Sequence, residues 1–267
     1  MKIRHIRNAT IVIECGPYQI LVDPMLAPKG ALPPLKFSGG MVRNPTVELP
    51  TEAEAALQGV THCLITHCQK GHFDHLDRAG KAWLRHHQIP VICTPHDAPH
   101  LASKGLNVQP LQLNEQGVGR FFEGQIRTIA CVHGRGFVGS FMEHGVGYFI
   151  EMPGEPSLYL SGDTILTPDI AQFVVANQPA VSVVPAGGAR FDFGGDIIMG
   201  VEDVLEFARI SEGLVVANHL EAISHCPVTR QALASAAQKA GVAARLRIPA
   251  DGEAIDVNRH VAPLMYA

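Results

Sequence analysis

Each of four short apolar runs in this chain has a histidine or an aspartate just past its end. They are CLITH (63–67, with HFDH following at 72–75), IACVHG (129–134), LYLSGDT (158–164) and LVVANH (214–219). Runs of this length and composition predict buried strands. Because a sheet presents its strand ends to the loops that build a site, the pattern predicts donor side chains at one edge of the fold. The predicted donors are His67, His72, Asp74, His75, His133, Asp163 and His219.

Predicted strands dominate the first half of the chain, and strand–helix units dominate the second half. A hairpin is predicted around Cys15-Gly16-Pro17, between ATIVIE and QILVDP. Residues 27–50, rich in proline and glycine, predict a long loop of a kind that often serves as a lid. The predicted helices span 51–57, 76–87, 96–104, 168–177, 201–210 and 228–240, the first beginning on a Thr51 cap. Without a linker between the halves, residues 1–267 predict one domain, a layered α/β sandwich.

Composition limits the partners and the location of the protein. With 46% hydrophobic and 17% charged residues, the chain can bury a sizeable core. A net charge of -4 and no cluster of lysine and arginine argue against nucleic-acid binding. No apolar run approaches the roughly 20 residues of a membrane span, and the N-terminal segment lacks a signal peptide's apolar core. The sequence predicts a cytoplasmic protein without membrane association and leaves open whether it forms a homo-oligomer.

The segment ITHCQKGHFDHLD (65–77) is the densest set of donors in the chain. Imidazole and carboxylate ligands together suit zinc, and also manganese or iron. In an extended loop His72 and Asp74 would point the same way, while His75 would begin the next helix. One short loop could then serve two neighbouring ions. The alternative is a polar loop whose histidines make only local hydrogen bonds.

Taken together, these segments resemble the metallo-β-lactamase superfamily of metal-dependent hydrolases, and within it the branch that contains L-ascorbate-6-phosphate lactonase. Residues 66–67 and 72–75 look like the family's Thr-His-x-His-x-Asp-His motif. ILVDP (20–24), VHG (132–134), LYLSGDT and VVANHLEAISH (215–225) are similar to further family segments, in the family's order and across nearly the whole chain. The resemblance implies an αββα four-layer sandwich with a two-metal centre at one edge.

The resemblance also implies which residues hold the two divalent ions, with zinc expected and manganese or iron as alternatives. The implied first site contains His67, His72 and His133, the implied second site contains Asp74, His75 and His219, and Asp163 is shared. The chain departs from the motif because His67 and His72 are five positions apart, where the family has two. Either the inserted loop bulges and His67 still reaches the metal, or His67 has left the first site.

Further residues are weaker candidates. His225 could donate a hydrogen bond to the substrate or leaving group, or could cap the following helix. Arg190 could hold an anionic substrate group or pair structurally, and Cys68 could replace a ligand as a thiolate. Arg135 gives a second suggestion of anion binding, and Glu221 is predicted to be peripheral. RNAT (7–10) stands where the lactonase has a Gly-His-Ala-type stretch, which weakens transfer of its substrate.

The resulting hypothesis is a metal-dependent hydrolase that cleaves an ester-type bond, in a lactone, an acyl ester or a phosphoester, of a small and anionic substrate. Two ions would lower the pKa of a bound water toward neutrality. Asp163 would bridge the ions, and Asp74 would bind one ion and orient the hydroxide. One alternative is a non-catalytic or single-metal member of the fold. Another is a di-iron oxidoreductase, although that branch typically has Glu at the position of His72 and carries a flavin domain.

Overall fold

The computed structural model describes residues 1–36, 38, 40–68, 72–134 and 145–261. The described strands are β1 (Lys2–Arg7), β2 (Thr10–Cys15), β3 (Tyr18–Val22), β4 (His62–Leu64), β5 (Pro90–Cys93), β6 (Asn107–Pro110), β7 (Val118–Phe121), β8 (Gly124–Ala130), β9 (Val146–Glu151), β10 (Leu158–Leu160), β11 (Val181–Pro185), β12 (Leu214–Asn218), β13 (Leu246–Arg247) and β14 (Ala254–Asp256). The described helices are α1 (Ala53–Gln58), α2 (Arg78–His86), α3 (Ala98–Ser103), α4 (Pro168–Asn177), α5 (Val201–Ile210), α6 (Arg230–Lys239) and α7 (Val257–Val261).

Over the described ranges, the strands form two seven-stranded sheets. The first has the order β14-β1-β2-β3-β4-β5-β6, and the second has the order β13-β12-β11-β10-β9-β8-β7. Each sheet has one antiparallel half and one parallel half, the parallel strands being β3 to β6 and β10 to β13. The parallel strands are connected by segments that contain helices, as crossover connections require.

The alternation of side chains along the strands explains the layers. On β2, Ile11 and Ile13 face the core between the sheets, while Val12 packs with the helices outside the first sheet. On β12, Leu214 and Val216 face the same central core, while Val215 packs with the helices outside the second sheet. Successive side chains of a strand point to opposite faces, so each sheet buries both of its faces. The predicted αββα four-layer sandwich is confirmed.

Local signals set the helix boundaries. The hydroxyl of Thr167 accepts a hydrogen bond from Ile170 N at 3.2 Å and caps α4, with Pro168 as its first residue. The bounds predicted for α4 and α5 agree with the structure. The predicted Thr51 cap is wrong, because α1 begins after Glu52 without a side-chain cap.

The long loop predicted over 27–50 lies, in its described part, against the segment that follows β12. Asn44 Oδ1 accepts a hydrogen bond from Ser224 N at 2.8 Å, and Thr46 N donates to Ala222 O at 2.8 Å. Leu32 of the loop packs in the same hydrophobic cluster as Ile223. This part of the loop is therefore docked on the body of the fold.

The helices of the described ranges are all too short or too polar to span a bilayer.

Candidate metal centre

The predicted donors converge at the edge where the parallel strands of both sheets end. The structure brings them into two groups, in each of which one ligand atom from every residue lies within 4.8 Å of the others. The first group contains His67, His72 and His133. The second group contains Asp74, His75, Asp163 and His219. Six of these side chains are buried and His72 is half-buried, so the donors form a nearly closed cluster.

A tight turn distributes the donors that follow β4 between the two groups. Both His75 N and Leu76 N donate to His72 O, at 3.2 and 3.4 Å. The turn points His72 toward the first group and directs Asp74 and His75 to the second. The prediction that His75 begins a helix is wrong, because α2 starts at Arg78 after Asp77 caps it by accepting from Gly80 N.

His67 lies inside the cluster despite the three inserted residues before His72. Its ring centroid is 4.7 Å from that of His72 and 3.9 Å from that of His75. Its Nε2 atom is buried and has no hydrogen-bond partner in the described part of the chain. The structure thus places His67 with the other donors, as the first of the two predicted arrangements requires; residues 69–71 lie outside the described residues. Metal binding by His67 stays a prediction.

Asp163 lies between the two groups. Its Oδ2 atom is 3.0 Å from His75 Nε2 and 3.5 Å from His219 Nε2, both in the second group. The same oxygen is 3.6 Å from His133 Nε2 and 4.0 Å from His67 Nε2, both in the first group. A single carboxylate oxygen thus faces ligands of both groups, which is the position that a shared ligand requires.

Hydrogen bonds hold the histidines with Nε2 turned into the cluster. His133 Nδ1 donates to Ile197 O at 2.7 Å, and His219 Nδ1 lies 3.4 Å from Cys226 Sγ. Partners of this kind fix both the tautomer and the orientation of a ligand imidazole. They leave the Nε2 lone pair available for an ion.

Asp23 lies directly behind the donors and was not among the predicted ones. Its carboxylate is 2.9 Å from His75 Nδ1 and accepts hydrogen bonds from the main-chain nitrogen and hydroxyl of Thr66. Thr66 Oγ1 in turn lies 3.0 Å from His67 Nδ1. One buried carboxylate therefore orients ligands of both groups. The signal was present, because Asp23 also directly follows an apolar strand.

The carboxylates of the cluster raise the pKa values of two of its histidines. Burial lowers the pKa of His75, but Asp163 and Asp23 raise it more, to about 10. Burial also lowers the pKa of His219, but the negative charge of Asp163 and its other neighbours raise this pKa well above its ordinary value. By contrast, burial lowers the pKa of His67 well below its ordinary value. Protons on His75 and His219 therefore compensate the carboxylates where cations are expected to bind.

The remaining candidates are distributed around the cluster. His225 is buried beside it and stacks parallel to Phe191 with ring centroids 5.8 Å apart. Its Nδ1 atom has no hydrogen-bond partner among the described residues. Arg190 pairs with Asp196 at 3.2 Å, and both side chains are exposed. Glu221 pairs with Arg230 at 2.6 Å and belongs to neither donor group.

Cys68 does not belong to either group of donors. It is buried in the apolar cluster under α2, and burial raises the pKa of its thiol, which disfavours a thiolate ligand. Arg135 lies outside the described residues.

The donor set fits transition-metal ions. Two ligands bound at about 2.1 Å in tetrahedral geometry are separated by about 3.4 Å. The separations of 3.3 Å between His219 Nε2 and Asp74 Oδ2, and of 3.5 Å between His219 Nε2 and Asp163 Oδ2, match this value. A bound ion would also supply a partner to the buried Nε2 of His67, which has none within the described ranges.

Two helix-covered sheets with a histidine and aspartate cluster at one edge define the metallo-β-lactamase fold class. The family model described as Beta-lactamase superfamily domain matches residues 18–220, more than half of the chain. The chain belongs to the β-lactamase superfamily.

Relatives of known sequence and structure agree with this assignment. The UPF0173 protein YddR of Bacillus subtilis (strain 168) is 33% identical over 260 residues, covering 95% of this chain and 98% of that protein. A UPF0173 metal-dependent hydrolase of Xanthobacter autotrophicus is 30% identical over 205 residues, covering 73% and 74% of the two chains. The solved structure of an isothiocyanate hydrolase from Delia radicum gut bacteria is 30% identical, covers 96% and 99% of the two chains and has a TM-score of 0.84. The likeness to the lactonase branch stays a resemblance.

Proposed function

We propose that the chain is a metal-dependent hydrolase that uses two divalent ions, zinc or alternatively manganese or iron. The observation that carries this proposal is Asp163 Oδ2, which lies within 4.0 Å of Nε2 atoms from both donor groups. His67, His72 and His133 would hold one ion, and Asp74, His75 and His219 would hold the other. When bound, the ions would supply Lewis acidity that lowers the pKa of a coordinated water toward neutrality.

Asp74 has the properties of a group that orients the attacking water. Burial raises its pKa, but the hydrogen bond from His219 and the charge of His75 lower it more, so the carboxylate stays ionised. Its Oδ2 atom is 3.3 Å from His219 Nε2, at the inner side of the cluster. An ionised oxygen at this place can accept a hydrogen bond from water and fix the direction of attack.

His225 would serve as a hydrogen-bond donor to the leaving group. Burial lowers its pKa to about 4, so the imidazole is neutral near pH 7 and keeps one N–H. Its Nδ1 atom has no partner within the described residues, and its ring is held against Phe191. A neutral donor at this place stabilises negative charge that develops on the departing atom.

The substrate is proposed to be a small molecule with an ester-type bond, such as a lactone, an acyl ester or a phosphoester. The resemblance favours an anionic compound, and Arg190 could reach it only by giving up its pairing with Asp196. The net negative charge of the chain argues against a nucleic-acid substrate. The proposed location of the protein is the cytoplasm.

A second candidate substrate is an isothiocyanate, because of the likeness to a solved isothiocyanate hydrolase. In this reaction the water oxygen forms a bond to the central carbon of R–N=C=S. The bond between this central carbon and the nitrogen then breaks, and both protons of the water end on the nitrogen. The products are R–NH₂ and carbonyl sulfide. Ester hydrolysis and this reaction both need an oriented water and a hydrogen-bond donor that faces the departing atom. The departing atom is oxygen in an ester and nitrogen here.

A substrate screen tests the proposal. Protein stripped with a chelator and reloaded with Zn²⁺, Mn²⁺ or Fe²⁺ is assayed against lactones, aryl esters, phosphodiesters, thioesters and isothiocyanates. We expect hydrolysis of at least one class that disappears on chelation and returns with the metal. Loaded protein without hydrolysis of any class would contradict the proposal. A coloured centre that consumes oxygen would instead support the di-iron alternative.

A further inference from the structure

Asn8 connects the two loops that carry the second donor group. It lies in the turn between β1 and β2, and its side chain is fully buried. Its main-chain oxygen accepts a hydrogen bond from His219 N at 2.8 Å. Its Nδ2 atom donates to Asp74 O at 3.3 Å and lies 3.4 Å from His219 Nε2. One residue of the first sheet therefore contacts a ligand after β4 and a ligand after β12.

The backbone of Asn8 alone does not explain an asparagine at this position. Its φ angle is +57°, in the left-handed region. Glycine satisfies such a turn at least as well as asparagine. Glycine would also avoid the burial of an amide, which is unfavourable unless the amide is hydrogen-bonded. The side chain must therefore be explained by what it contacts.

The Oδ1 atom of Asn8 is buried and has no hydrogen-bond partner among the residues that the structure describes. Buried polar atoms are nearly always paired, so an unpaired one calls for a specific reason. The Nδ2 atom of the same amide already contacts Asp74 and His219. The missing donor is therefore expected to arrive with the occupant of this half of the centre.

We propose that Asn8 is a positioning residue of the metal centre, which fixes Asp74 relative to His219 and offers Oδ1 to a hydrogen-bond donor that enters with the ion. The donor would be a water of the ion's coordination shell, because the ion itself brings no hydrogen. The inference rests on the proposed function, since it assumes that the second donor group binds an ion.

Asn8→Gly tests this inference, because glycine keeps the left-handed backbone and removes the amide. The matched control is Gln88→Gly, which makes the same kind of change at φ +56° on an exposed residue. Metal affinity is measured by competition with a chromophoric chelator, and the geometry of the site by the visible spectrum of the Co²⁺ form. We expect Asn8→Gly to bind one of the two ions about 10–100-fold more weakly and to change the cobalt spectrum. Gln88→Gly should match the wild type.

Unchanged affinity and an unchanged cobalt spectrum in Asn8→Gly would overturn the inference while leaving the hydrolase proposal standing. Wild-type protein that binds no ion would instead contradict the proposed function.

A measurement on the wild type covers the case in which the variant does not fold. The side-chain amide resonances of Asn8 should shift when Zn²⁺ is added to the apoprotein. Resonances that do not move at saturating Zn²⁺ would overturn the inference.

Discussion

His67 Nε2 lies 4.0 Å from Asp163 Oδ2, although His67 is separated from the next histidine of its motif by three inserted residues. His67 follows β4 by three residues, and Asp163 follows β10 in the opposite sheet. The two side chains therefore approach each other from segments that follow strands of the two different sheets. The insertion lengthens the connection between His67 and His72 without removing His67 from the cluster.

The first prediction concerns this insertion. His67→Ala should lower the number of bound ions, or their affinity, as much as His72→Ala does, because both imidazoles belong to the first donor group. His100→Ala is the control, since His100 is exposed and lies outside both groups. Metal content after dialysis measures the effect. If His67→Ala behaves like His100→Ala, His67 is not a ligand.

The second prediction concerns Asp74. Asn at this position keeps the size and one oxygen but loses the charge that orients the water. We expect Asp74→Asn to remain folded and to lose at least about two orders of magnitude in kcat, since a positioned proton acceptor contributes roughly 10²–10⁴-fold. Asp169→Asn, an exposed change in the first turn of α4, is the control. Near-normal turnover of Asp74→Asn with full metal content would remove Asp74 from the mechanism.

The third prediction concerns Asp23, which contacts His75 and Thr66 but belongs to neither half of the proposed two-ion centre. Asn tolerates the left-handed backbone of this residue, whose φ is +46°. It cannot, however, accept the three hydrogen bonds with the strength of a carboxylate. Asp23→Asn should therefore weaken metal binding about 10–100-fold, as loss of a partner behind a ligand does. Affinity equal to that of the wild type in a chelator competition would show that Asp23 is only structural.

The fourth prediction concerns pH. In the ion-free protein the pKa of His75 is raised to about 10, and that of His219 is also raised, because both face carboxylates. An ion needs the deprotonated imidazoles, so protons must leave when it binds. Metal affinity should therefore rise with pH and fall as the solution is acidified. Calorimetry near pH 7 in buffers of different ionisation enthalpy should detect the released protons. Affinity that does not change between about pH 6 and pH 8 would contradict this account.

Much of the fold could be predicted from the sequence, because the central strands and outer helices carry strong local patterns. The helices α4 and α5 were predicted at their observed bounds. The strands β1, β6 and β7 were missed. Of these, β6 and β7 lie at the edges of the sheets, and β6 is largely exposed, so neither needs a regular apolar pattern. The pairing of such strands is decided by their neighbours in space, which a local pattern does not record.

The donors of the candidate site could also be predicted, because each follows an apolar strand that ends at the same edge. The parts that could not be predicted depend on contacts between distant segments. Asn8 contacts Asp74 and His219 across 66 and 211 positions of the chain, and neither contact has a local signature. The course of the loop after His67 was likewise open, because its length alone fits both arrangements.

The metal stoichiometry of the chain tests the central claim most directly. Protein purified without chelators, then dialysed against Zn²⁺ and freed of excess ion, is measured by elemental analysis against its own concentration. The two donor groups sharing Asp163 predict two tightly bound ions per chain. Binding of a single ion would mean that only one of the two donor groups holds a metal ion. A protein that remains metal-free and takes up neither Zn²⁺ nor Mn²⁺ would contradict the account of a metal-dependent hydrolase.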